Sequence, residues 1–198
     1  MSYTLTFEMK GKGETMKNPI LRNGVRILRP SEFRLIVDQI KPDYQIMFKT
    51  LLLTGMRFVE AKRFQNHPEW FDGDFINLPS SAMLKKKAKM SERSIRLNNL
   101  GRTLIPIFLN LQRDLPTRVS WREDLRRWAI NVGLEPDGLS AKTTRKTWES
   151  WLMFYYPERR LEIVLNQGHT DVTSIKHYLN LAFTNEDKVA MGEYVSGW

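Results

Sequence analysis

The chain has 198 residues, of which 41% are hydrophobic and 11% aromatic, and it carries a formal net charge of +9. That is enough apolar material for one buried core, which excludes a disordered chain, and the charge points to a polyanionic partner, nucleic acid ahead of a membrane surface. Cysteine is absent and only three histidines occur, which removes disulfides, thiolate nucleophiles, Cys-based zinc sites and His-rich metal sites. No apolar run reaches membrane-spanning length and the N-terminus lacks the apolar stretch of a signal peptide, so a soluble, cytoplasmic protein is expected.

Residues 1–29 read as a basic arm or the remnant of a preceding region. Lys10 to Lys17 is rich in glycine and lysine, and Arg22, Arg26 and Arg29 follow without a clear period. Little regular structure is expected there, with a DNA-contacting arm as the functional alternative. Pro30-Ser31 opens a helix whose Phe33, Ile36, Val37 and Ile40 share one buried face. Pro42-Asp43 restarts the chain into a strongly apolar helix with Phe48, Leu51 and Leu52 on one side, stopped by Gly55. A short helix, Phe58 to Phe64, carries Glu60.

The period then changes. Glu69 to Leu78 around an Asp72-Gly73-Asp74 turn, and Arg93 to Leu97, predict an antiparallel sheet of about three strands. Lys85, Lys86, Lys87 and Lys89 lie between the two segments. The remainder reads as helical. Leu100 to Leu111 contains Pro106 and is expected to kink or split. Ser120 to Glu123 fits a capping box ahead of Leu125, Trp128, Ala129 and Val132. A helix from about Ala141 to Tyr155 places Trp148, Trp151, Leu152 and Tyr155 at core spacing. Helices over Leu161–Gln167, Asp171–Leu181 and Asn185–Val195 complete the chain, the last with Thr184 and Asp187 as a cap pair. The fold class is mainly α with a small antiparallel β-sheet (α+β).

Each candidate functional residue also has a bland explanation. Tyr178 is by default a surface tyrosine; as a nucleophile it needs a proton acceptor or strongly positive surroundings. Arg57 opposes the dipole of the helix it begins, a cost that a bound anion such as phosphate would offset. Lys142 and Arg145 share a helix face that solvent alone explains, and the lysine run is by default a solvated hairpin tip. His169 after Gly168 is a capping or core histidine unless a nucleophile lies nearby, and His177 is incidental. Trp148 and Trp151 are assigned to the core rather than to base stacking.

The order of these signals is more specific than any one of them: TGMRxxE, a basic hairpin, KxxR, Gly-His, then tyrosine. In that order the chain, over roughly residues 30–198, resembles the catalytic domain of the tyrosine recombinase (phage integrase) family. LLLTGMRFVEA resembles the first arginine box, with Arg57 as its arginine and Glu60 three residues on. KTTRKTWESWL resembles the second, with Arg145 as its arginine. QGHTDVTSIKHYL resembles the end of the pattern, with His169 and the nucleophile Tyr178. Lys142 stands where the family usually has histidine, and with the RKTWESW wording it looks closest to archaeal and archaeal-virus integrases. Lys86 and Lys87 are the candidates for the family's hairpin lysine, with Lys89 behind them.

The resemblance implies cleavage and rejoining of double-stranded DNA through a 3′-phosphotyrosyl bond, needing neither ATP nor metal. In that scheme Arg57 and Arg145 clamp the phosphate and the hairpin lysine protonates the leaving oxygen. His169 and Lys142 assist, Lys142 chiefly as a phosphate contact. It also implies integration or excision of a viral or plasmid element in the host cytoplasm or nucleoid, by a protein that is monomeric when free and tetrameric on DNA. Residues 30–183 would form the catalytic domain, and 184–198 a tail helix, exchanged between protomers or docked on its own domain. Residues 1–29 are too few for the clamp domain that commonly precedes it, so a catalytic fragment or a short enzyme is expected. Two alternatives are a topoisomerase of the same chemistry and a non-catalytic DNA-binding protein on a recombinase fold.

Overall fold

The structure is a computed structural model and describes residues 18–82, 92–169 and 181–198. Lys86, Lys87, Lys89, His177, Tyr178 and most of the helix expected over Asp171–Leu181 lie outside the described residues.

Helix α2 (Pro42–Thr54) is the hub. Met47, Phe48, Thr50 and the run Leu51 to Thr54 are all buried, the pattern of a helix enclosed on every side. It packs against α4 (Asn99–Leu109) and α6 (Thr143–Tyr155). Gly55 ends it in the left-handed conformation, φ +57°. A Cβ there would lie 2.5 Å from Gln167 Oε1 and 2.7 Å from Trp148 Cδ1, so both the backbone angle and the close approach require glycine. Helix α1 (Pro30–Gln39) buries Phe33, Ile36 and Val37 as its periodicity predicts, with the Phe33 ring tilted against Phe48 at 4.8 Å and edge-on to Trp151. Helix α3 (Phe58–Phe64) has its expected bounds.

Four regions differ from the sequence expectation. The stretch before Pro30 is regular from Ile20 on: β1 (Ile20–Arg22) and β2 (Val25–Ile27) form an antiparallel hairpin. Its turn is Asn23-Gly24, with φ of +50° and +67°, the pair that suits a two-residue turn matching strand twist. The hairpin docks on α6 and the loop before it: Arg26 N donates to Gly138 O at 2.9 Å, and Leu28 N to Thr147 Oγ1 at 3.0 Å. Arg26 pairs with Glu32 at 2.6 Å and Arg29 with Asp187, all four buried. These two arginines hold the fold together and are not a DNA-contacting arm.

Among the described residues the small sheet has two strands, β3 (Phe75–Leu78) and β4 (Arg93–Arg96), paired Ile76 to Ile95 and Leu78 to Arg93. The predicted third strand is reduced to a single bridge between Phe71 and Ile76, because Pro68–Trp70 takes a 3-10 turn. In α4, Pro106 lies within one helix rather than between two, and Asn98 caps its start. Helix α5 (Arg118–Asn131) begins ahead of the expected box, with Thr117 accepting from Ser120 N at 3.1 Å.

Of the 13 residues of α6, ten are buried, including Arg145 and Glu149, so this helix runs through the interior and its charges need partners. Trp148 and Trp151 are fully buried core residues, and Trp151 Nε1 donates to Leu28 O at 2.9 Å. Helix α7 (Arg160–Asn166) follows, and α8 (Asn185–Val195) is capped by Thr184 and Asp187 as expected. The tail packs on its own domain, against α1 and α6, burying Met191, Val195 and Trp198. Among the described residues no helix is long and apolar enough to cross a membrane.

Candidate active site

Arg57, Lys142, Arg145 and His169 line one cleft of about 590 Å³. They are brought there by chain ends rather than by one element: the α2–α3 junction, the start of α6, and the turn after α7. The close contact of Gly55 with Gln167 joins two of these pieces. Phe58, Val59 and Ala141 supply an apolar wall, and Lys62, Arg118 and Lys146 add further positive charge.

Arg145 is 9% exposed. Its Nη1 donates to Gly55 O at 2.8 Å and its Nη2 to Gln167 O. Two backbone carbonyls therefore fix the plane of the guanidinium without neutralising it. Burial, and then the neighbouring Arg93 and Arg57, pull its pKa down to about 10, against the opposing effect of Glu149 and Glu60. It remains charged at neutral pH, and an anion in the cleft would relieve the repulsion.

Arg57 is the more open of the two arginines, with its side chain 30% exposed. It caps the start of α3, where a cation is unfavourable, and Glu60 answers that cost from within the same turn. The Glu60 carboxylate accepts from Arg57 N at 2.7 Å and from Arg57 Nη1 at 2.6 Å. It also accepts from Arg93 Nη2 at 2.6 Å. Burial alone would raise the Glu60 carboxyl, but Arg93, Arg57 and Arg145 outweigh it and hold the group below the ordinary carboxylate range. One fully buried carboxylate thus orients two arginines.

Arg93 is the residue that sequence reasoning passed over. Burial lowers its pKa, with Glu60 opposing. Its Nη1 reaches Asn166 O at 3.2 Å. Its aliphatic stem runs beneath Gly168, where a Cβ would come within 2.7 Å of Arg93 Cδ at φ +68°. Arg93 therefore links the Arg57–Glu60 pair to the turn that presents His169. A signal was present: β4 alternates, and Arg93 falls on the same inward face as Ile95. An arginine on a buried face needs a carboxylate partner.

His169 is the second place where the structure adds a residue. Its Nε2 lies 2.9 Å from one oxygen of Glu149 and 3.1 Å from the other. Glu149 stands one helical turn beyond Arg145 and is fully buried. At the rim, Lys146 Nζ donates to Arg22 O at 3.1 Å. Burial, and then Lys142, lower the Lys146 pKa. The site residues the structure brings together are thus Arg57, Lys142, Arg145 and His169, while Lys86, Lys87 and Tyr178 lie outside the described residues.

Comparison with family models and with curated proteins finds no match. Solved structures do match in fold. The Tn1549 transposon integrase in complex with circular intermediate DNA has a TM-score of 0.59 at 16% identity, over 82% of this chain and 63% of that one. The XerH site-specific recombinase bound to palindromic difH substrate, a post-cleavage complex, gives 0.53 at 18% identity over 86% and 51%. Its pre-cleavage complex with difH substrate gives 0.51 at 18% over 81% and 50%. The chain thus spans between half and 63% of the length of these proteins. The fold, mainly helical with small antiparallel sheets, is that of the tyrosine recombinase catalytic domain.

Proposed function

We propose that the protein cleaves and rejoins double-stranded DNA, with Tyr178 attacking a phosphodiester to leave a 3′-phosphotyrosyl bond and a free 5′-hydroxyl. The observation that carries this reading is the convergence of Arg57, Arg145 and His169 on one cleft, with both guanidiniums held by buried partners. In-line attack builds negative charge on the non-bridging oxygens of the phosphate. Preorganised guanidiniums at fixed positions stabilise that charge without reorganising at the moment of reaction. The covalent bond conserves the energy of the phosphodiester, so rejoining requires no ATP.

Lys142 contributes charge at the start of α6 and contacts the phosphate. Lys86 or Lys87 protonates the leaving 5′-oxygen as general acid. Site-specific integration or excision of a mobile element is the biological setting that fits, and the archaeal-virus affinity rests on Lys142 and the RKTWESW wording alone. Assembly as a tetramer on two DNA sites belongs to the same reading.

The experiment is a suicide-substrate assay: nicked duplex is incubated with the protein and run in SDS, and a protein–DNA adduct is expected. Relaxation of supercoiled plasmid without site preference would assign the same chemistry to a topoisomerase. DNA binding with no adduct on any substrate would assign a non-catalytic role.

A further inference from the structure

Glu149 occupies the inner side of α6 beside Trp148 and Leu152, where an apolar side chain would pack at no electrostatic cost. It is fully buried, and its carboxylate faces His169 Nε2. A carboxylate can only accept, so the nitrogen it faces carries the proton. A neutral His169 is then the Nε2–H tautomer, with the lone pair on Nδ1.

The surroundings give that lone pair a use. The other ionisable side chains lining the cleft among the described residues are all cations: Arg57 and Lys62 around α3, Arg118 on α5, Lys142 just ahead of α6, and Arg145 and Lys146 on it. From β4, Arg93 lies under Gly168 with Glu60 behind it. Guanidinium and ammonium groups are donors only. With lysine at position 142, the imidazole is the one nitrogen base among these described lining residues.

We infer that Glu149 is a positioning residue: it holds His169 as the Nε2–H tautomer so that Nδ1 takes the proton of the attacking tyrosine. This rests on the phosphotyrosyl reading above. The tyrosine O–H bond breaks, its proton moves to Nδ1, and the oxygen electron pair forms the bond to phosphorus as the 5′-oxygen leaves. The resulting imidazolium is matched by the Glu149 carboxylate. On rejoining, the proton returns from Nδ1 to the departing tyrosine oxygen. The logic is that of a histidine oriented by a buried carboxylate.

Two measurements test it. Long-range 1H–15N spectra of the imidazoles report tautomers directly in the free protein. His169 is expected as Nε2–H, with His67, whose Nδ1 faces Glu69 at 2.7 Å, as an internal contrast. Variants His67→Gln and His177→Gln assign the signals. An Nδ1–H tautomer at His169 overturns the inference whether or not the protein cleaves DNA. Second, Glu149→Gln keeps the shape and removes the charge. Cleavage should slow by about a hundredfold or more, with DNA affinity unchanged. A substrate bearing sulfur in place of the leaving 5′-oxygen needs no general acid, so it should rescue hairpin-lysine variants and leave Glu149→Gln slow. Rescue of Glu149→Gln by sulfur, or an unchanged rate on the normal substrate, overturns the role. Absence of any adduct with the wild-type protein counts against the phosphotyrosyl reading itself, and the tautomer then decides whether the Glu149–His169 arrangement stands.

Discussion

Replacing Glu60 by glutamine tests how the arginines are held. The side chain is fully buried and answers three donors, two from Arg57 and one from Arg93. A glutamine would fill the same space but leave Arg93, itself 9% exposed, as a buried cation facing two other arginines. Breaking a buried pair by removing one partner costs about 3–5 kcal/mol. In a chain of this size each kcal/mol moves the midpoint by about 2–4 °C, so Glu60→Gln should melt about 6–20 °C below the wild type at pH 7. The pH dependence fixes the sign. Glu60 titrates below its unfolded value, so its stabilisation is complete above that unfolded value and disappears as pH falls through the folded one. The gap between the two proteins should therefore close in acid. Adding Arg93→Met to Glu60→Gln should recover part of the loss, because the stranded charge goes with it. Thermal melts of the three proteins from pH 3 to 7 are the assay. A Glu60→Gln midpoint within about 2 °C of wild type at pH 7, or a gap that widens in acid, would refute the reasoning.

Arg57→Ala and Arg145→Ala should each slow cleavage by on the order of a hundredfold or more, with DNA affinity falling far less because many phosphate contacts share it; single-turnover cleavage and binding titrations separate the two effects. Lys142→His should make the cleavage rate depend on pH near neutrality, where histidine titrates, and an unaltered profile would show that residue 142 does not touch the phosphate. Met191→Ala, at a fully buried position of α8, should cost about 2–5 kcal/mol at every protein concentration tested; a loss that varies with concentration would mean that the tail serves a neighbouring chain. Gly55→Ala should be more damaging than a routine helix-end change, since it meets both a left-handed backbone and the side chains of Gln167 and Trp148; a melt indistinguishable from wild type would contradict the close approach described.

The helices that could be read from sequence are those with a buried stripe and a clear stop: α1, α2, α3 and α8 match their expected bounds closely. The hairpin at Ile20–Ile27 was obscured by its short strands and by three arginines that suggest solvent. Two of these, Arg26 and Arg29, are buried by ion pairs with partners 6 and 158 residues away. Asn23-Gly24 was the local signal that outweighed the charge. The capping box at Ser120 competed with Thr117, which wins because its hydroxyl reaches Ser120 N. At the site, local motif spacing singled out Arg57, Arg145 and His169, which the fold brings to one cleft. Arg93 and Glu149 were missed because their meaning is tertiary: each is a charge on a buried face whose partner lies on another element.

The central claim, that Tyr178 forms a covalent bond to DNA, is tested most directly by the SDS-resistant adduct on nicked suicide duplex, followed by mass mapping of the modified peptide. The account predicts an adduct with the wild-type protein, linked through Tyr178 to a 3′-phosphate, and none with Tyr178→Phe although that variant still binds DNA. An adduct that persists in Tyr178→Phe, or a linkage mapped to another residue, would contradict it.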